Sequence, residues 1–190
     1  MTSKINVGAA GEHLVAAMLS AYGYHVGLVR GGTKAIDLLI SDPAGHWSLP
    51  IQVKTASSAR RNHKRVKHKD RWEWQVSVRA HLQISDQVMY AFVDLAGWPQ
   101  KGKPPAVFWV PGQVVHDNIR AYRTLREQQG KKPPTQMFHW IMDAQGSHYQ
   151  DVKRLHEVLK AVESPSAGKS NKQVFPLRAR SEGVVAGFVG

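Results

Sequence analysis

The sequence predicts a mixed α/β fold in which one helix leads into three strands, with further strands and two helices toward the C-terminus. Two observations carry this. Apolar residues near the start recur at helical spacing, and from Tyr24 onward they gather in short runs broken by turn residues. Composition is the third support: 190 residues, 42% hydrophobic and 21% charged, suffice for one domain with a real core. That domain is expected over residues 1–163, as a mixed central sheet flanked by helices.

The first helix is expected from Val7 to Tyr22, with Ser3 and Asn6 as capping residues and Gly23 as its stop. Leu14, Ala17, Met18 and Ala21 supply its apolar stripe. Three strands follow, Tyr24 to Val29, Ala35 to Ser41 and Leu49 to Lys54, with Asp42, Pro43 and Gly45 turning the second into the third. Arg60 to Arg71 reads as a basic loop, and Trp74, Val76 and Val78 alternate with polar residues as in a half-exposed strand. Val88 to Leu95 and Val107 to Val110 read as buried strands. Pro111 suits the first turn of a helix that buries Val115, Ile119 and Tyr122 and ends at Gly130 to Pro134. Ser147 and Gln150 form a capping-box pattern before a last helix with Val152, Leu155, Leu159 and Val162 at helical spacing. Residues 164–190 are linker-like and read as a mobile tail.

Charge and composition narrow the function. Twenty-six Lys and Arg against fourteen Asp and Glu give a net +12, with a pI of about 10.1. Such an excess in a small domain attracts polyanions, because each neutralised phosphate releases condensed counterions. Cysteine is absent, which excludes disulfides, a thiol nucleophile and thiolate metal sites. No apolar run approaches ~20 residues, so no helix is expected to span a membrane. The opening MTSKINVGAAGEHLV has a glutamate and a histidine where a signal peptide needs its apolar stretch, so a cytoplasmic protein is expected.

Alternation along the third strand sets Ile51 and Val53 on one face, Gln52 and Lys54 on the other. On the second strand Asp37 faces away from Ile36 and Leu38. A hairpin pairing of the two strands brings Asp37, Gln52 and Lys54 to one edge of the sheet, and Glu12 completes the group if the first helix packs across it. Polar groups that interrupt apolar strands carry a desolvation cost, which a functional site would explain.

This arrangement resembles the PD-(D/E)xK nuclease superfamily, whose core is a helix, three strands, a helix and a strand. The superfamily has an acid on the first helix, an acid on the second strand and acid-x-lysine on the third. Here these positions read Glu12 in GAAGEHL, Asp37 in KAIDLLI and Gln52-Val53-Lys54 in IQVKT, a likeness that covers roughly residues 7–55. The resemblance implies a restriction endonuclease-like or Holliday junction resolvase-like core of the QxK variant. It also implies hydrolysis of phosphodiester bonds with Mg2+ or Mn2+. Asp37, the Gln52 amide oxygen, the Val53 carbonyl and Glu12, directly or through water, would then hold the metal. Lys54 would hold the nucleophile or the phosphate.

The sequence departs from the pattern twice. Ala35-Ile36 precedes Asp37 where the superfamily's name has proline, and Gln52 stands in place of an acid, removing a charge. Other motifs compete poorly. Gln129-Gly130-Lys131 repeats the triplet outside any strand. Gly97 to Lys103 spells GxxxxGK, but Pro104 sits where a Ser or Thr would bind magnesium, and Gly168-Lys169-Ser170 lacks the first glycine of a phosphate loop. The ten histidines show neither HExxH nor zinc spacing, and His13 reads as a surface residue beside Glu12.

The basic loop RRNHKRVKHKDR holds seven Lys or Arg in twelve residues and follows Lys54 closely. Arg60, Arg61, Lys64, Arg65, Lys67, Lys69 and Arg71 are expected to hold phosphates, with Trp72 or Trp74 stacking on a base, although Trp74 reads equally well as core. Two functions remain open: a metal-dependent DNA endonuclease, or a catalytically inactive DNA-binding module on the same fold. Monomer and homodimer both remain open.

Overall fold

The computed structural model describes residues 3–29, 36–62, 70–77, 88–132, 137–142, 148–150, 155–157 and 159. It is a mixed α/β fold built on a five-stranded mixed sheet. Helix α1 (Lys4–Ala21) leads into β1 (His25–Leu28), β2 (Leu38–Ser41) and β3 (Ser48–Ala56). Strands β4 (Arg60–Asn62) and β5 (Asp70–Val76) follow, then β6 (Met89–Asp94), β7 (Ala106–Pro111), α2 (Gly112–Gln128) and β8 (Met137–Met142). The main sheet has the order β1-β2-β3-β6-β7, with β3 and β6 parallel and every other neighbouring pair antiparallel. A second, antiparallel sheet has the order β4-β5-β8.

Ser3 alone caps α1, accepting from the Asn6 N–H at 3.2 Å; Asn6 lies inside the helix rather than capping it. The buried stripe is Gly11, Val15 and Leu19. It is turned one position from the expected stripe, and Ala17 and Ala21 face water. The cause is Gly11, whose missing side chain lets the helix sink onto β3 along that line. Gly23, at φ +90, makes the stop that the sequence implied.

Alternation sorts the core into two clusters. Ile51, Val53, Met89, Ala91, Val93, Val107 and Trp109 pack under α1, together with Leu155 and Leu159 from the C-terminal helical residues. Tyr90, Phe92, Phe108 and Val110 face the other way, onto Trp74 and Val76 of β5, Met137 and Ile141 of β8, and Val115 and Ile119 of α2. This second layer lies over β6 and β7. On the same face of β2, Leu39 stays 44% exposed.

Two sequence expectations change. Arg60 to Arg71 is not one loop, because both its ends are strands of a hairpin arm; residues 63–69, with Lys64, Arg65, Lys67 and Lys69, lie outside the described residues. Strand β5 alternates as expected, with Trp74 and Val76 buried and Gln75 exposed between them, Trp74 packing on Phe92 of β6 and Phe108 of β7. Strand β8 was not anticipated from MFHWIM. Val78, Ser147, Val152, Val162 and the tail from 164 onward also lie outside the described residues. Among the described residues, no helix is long and apolar enough to cross a membrane.

Candidate functional site

Strand β2 pairs with β3 only as far as Leu38 opposite Ile51. The last backbone bond there runs from the Asp37 N–H to the Ile51 carbonyl at 2.9 Å. One further step of the register sets Asp37 opposite Gln52, and Gln52 in turn lies opposite Tyr90 on β6. Asp37, Gln52 and Tyr90 therefore form a polar row across three neighbouring strands, on the face away from α1.

Beyond Asp37, β3 continues to Ala56 without β2 beside it, and the Asp37 carboxylate takes over that edge. Its Oδ2 accepts the Val53 N–H at 2.7 Å and also the Gln52 Nε2. Because Oδ2 is an acceptor, the Gln52 nitrogen is the atom turned toward it, which leaves Oε1 as the remaining polar atom of this buried side chain. The Ile51 carbonyl points at β2, so by strand period the Val53 carbonyl points along the same edge.

Glu12 arrives from α1 on the opposite face. Gly11 lies so close to β3 that an added Cβ would sit 1.8 Å from Thr55 Oγ1. This contact brings Glu12, half-buried, to the notch where β2 ends. Burial raises the Glu12 carboxyl above its ordinary value, and the Asp37 charge raises it further, against the opposing pull of His13 and Lys54. Burial lowers the Lys54 ammonium, while Asp37 and Glu12 partly offset that. Tyr90 is raised by burial and then by Asp37. Glu12, Asp37, Gln52, the Val53 backbone and Lys54 thus gather in one place. Tyr90 was missed by sequence reasoning; its only signal was a phenol inside the apolar run VMYAFVDL.

The donors gathered here are hard oxygens, the kind that Mg2+ takes. Two are carboxylates, and beyond the effect of burial the Asp37 charge raises the cost of ionising Glu12, a strain that a dication relieves. Among the described residues no group of three His, Cys, Asp or Glu side chains gathers to hold a metal. The donor set fits only with the Gln52 amide oxygen or the Val53 carbonyl completing it.

The expected phosphate-binding residues are partly engaged elsewhere. Arg71 Nη2 meets Glu73 Oε2 at 2.9 Å and Arg61 Nε lies 3.9 Å from Glu73 Oε1, so one acid draws in both guanidiniums. Arg60 lies over the Trp72 ring at 4.7 Å, and Trp72 packs against Phe108 at 5.0 Å. Trp72 is half-buried structure rather than an open stacking platform, and Trp74 is core, donating from Nε1 to the Val93 carbonyl at 2.9 Å.

Comparisons with protein-family models, with curated proteins and with solved structures return no match.

Proposed function

We propose that this chain is a metal-dependent phosphodiesterase acting on nucleic acid. More particularly, the reading is a DNA endonuclease on a restriction endonuclease-like core. The observation that carries it is the Asp37 carboxylate, held by Gln52 and the Val53 N–H, with a second carboxylate (Glu12) and a half-buried lysine (Lys54) gathered around it. The order of α1, β1, β2 and β3 agrees with the start of the superfamily core.

A bound dication, Mg2+ or Mn2+, would lower the pKa of a water and offset phosphate charge. The protein's share is distinct. Asp37 and Glu12 supply anionic oxygens, Gln52 Oε1 and the Val53 carbonyl neutral ones. Lys54 supplies a positive charge that stabilises the phosphate as its oxygens gain charge. Burial brings its ammonium closer to giving up a proton, which suits a group that orients an attacking water. Cations of the hairpin arm hold the strand without reading its sequence.

A second reading is favoured by the presence of only two carboxylates at the site among the described residues: a DNA-binding module that does not cleave. Supercoiled plasmid, with and without Mg2+, separates the two. Metal-dependent nicking that falls on the order of 100-fold or more in Asp37→Ala, with the fold retained, supports the enzyme. Retarded mobility without cleavage in either metal supports the module. Undiminished cleavage by Asp37→Ala overturns the site.

A further inference from the structure

The segment GWPQKGK, whose GxxxxGK spelling suggested a phosphate loop, is a turn between the antiparallel strands β6 and β7, with no helix after it. Backbone bonds from Trp98 N–H to the Leu95 carbonyl (2.9 Å), Lys101 to Gly97 (2.8 Å) and Gly102 to Pro99 (3.2 Å) hold it. Gly97 and Gly102 take positive φ, +83 and +63, which lets the chain fold back on itself. The rigid turn holds Trp98 out in water at 38% exposure, while Trp74 and Trp109 are buried. Lys101 and Lys103 beside it are exposed, and among the described residues no carboxylate lies within ion-pair distance of either.

The base of the turn is tied to the segment that leaves the candidate site. The Leu95 N–H donates to the Ala56 carbonyl at 2.9 Å, and the Ala59 N–H donates to Asp94 Oδ1 at 3.0 Å. Lys54 lies two residues before Ala56; Arg60 and Arg61 follow Ala59 directly. The C-terminal ends of the parallel strands β3 and β6 therefore bring the exposed indole and the two lysines of the turn beside the segment that leads from Lys54 to Arg60 and Arg61, of which Arg61 is already paired with Glu73. Cations alone would hold any polyanion. An indole fixed among them fits a chain that offers both phosphates and an exposed aromatic face, which is a nucleic acid with an unpaired base.

We propose that the 97–103 turn is a second nucleic-acid contact, at which Trp98 stacks on an unpaired base and Lys101 and Lys103 hold the phosphates flanking it. The preferred substrate is then a duplex carrying a single-stranded flank rather than a blunt duplex. The proposal rests on the reading of the chain as a nucleic-acid-binding protein.

The test is fluorescence anisotropy of the full chain with a labelled blunt duplex and with the same duplex bearing a single-stranded flank, without metal so that nothing is cut. Wild type is expected to bind the flanked DNA more tightly. Trp98→Ala should weaken that binding by about 10-fold and leave blunt-duplex binding and Tm unchanged, with Trp98→Phe restoring part of the loss. The double variant Lys101→Ala, Lys103→Ala should flatten the plot of log affinity against log salt by about 1.4–1.8. Unchanged flanked-DNA binding by Trp98→Ala overturns the turn as a contact while the reading of the site stands. Equal loss on both DNAs overturns base stacking in favour of a general polyanion surface. Wild type that binds neither DNA overturns the nucleic-acid reading and this proposal together.

Discussion

At Gln52 the amide nitrogen is committed to the Asp37 carboxylate, so a glutamate there would set two carboxylates against one another in a buried place. Gln52→Glu should therefore lower Tm in metal-free buffer and show a larger rise in Tm with Mg2+ than wild type does. Equal metal-induced shifts in the two proteins would count against a cation at Gln52. His139 poses a separate residue-level problem. It is buried on β8, stacked on Phe92 at 4.7 Å, and its Nδ1 has no partner among the described residues. Burial lowers its pKa from 6.5 to about 3. The folded form thus resists a proton that the unfolded chain accepts. Stability from this residue is whole above about pH 6.5 and is lost as pH falls toward 3. His139→Phe keeps a ring against Phe92 and removes the titration. Its Tm should fall less between pH 7 and pH 4 than that of wild type, and parallel curves would disprove the assignment.

Among the elements, the packing of α1 on β3 does the most for the site. The helix approaches so closely at Gly11 that Thr55, a stiff β-branched side chain, fills the space a Cβ would need. Gly11→Ala must push the helix away or twist Thr55, at a cost of about 1–3 kcal/mol. Glu12 moves with the helix, so cleavage should drop in Gly11→Ala even though every site residue remains. Thermal melting and a nicking assay read the two effects separately, and full activity would mean that Glu12 is not needed where it sits. The hairpin arm follows a similar logic. Glu73 draws Arg61 and Arg71 together across β4 and β5, so these guanidiniums neutralise a protein charge and hold the arm in register.

For the whole molecule, a net charge of +12 predicts that the proposed association with DNA falls steeply as salt rises. Among the described cations, Arg61 and Arg71 are engaged by Glu73. Neutralising Lys64, Lys67 and Lys69, which lie outside the described residues, should lower the salt slope by about 0.7–0.9 for each phosphate that is no longer neutralised. Arg71→Gln should change the slope less and Tm more, because Arg71 is tied to Glu73. Equal slopes in wild type and the triple-lysine variant would make the basic run a solvated surface and nothing else.

The sequence by itself determined the elements whose signals are local. Helix α1, strands β1 to β3, β6, β7 and helix α2 follow from period, turn residues and glycine stops, because those features act within a few residues. The grouping of Asp37, Gln52 and Lys54 on one strand face was also readable, since strand alternation is a strict two-residue period. Tertiary structure decided the rest. It turned the stripe of α1 by one position, because that choice depends on Thr55 lying beneath Gly11. It made a basic stretch into two paired strands, because Arg61, Arg71 and Glu73 meet only across a hairpin. It drew the unanticipated strand β8 out of MFHWIM, because β5 offered an edge to pair with. It also brought Glu12 to Asp37 through the notch where β2 ends and β3 continues. That notch arises from unequal strand lengths and the pairing of β3 with β6, a contact between segments almost forty residues apart that no local pattern records.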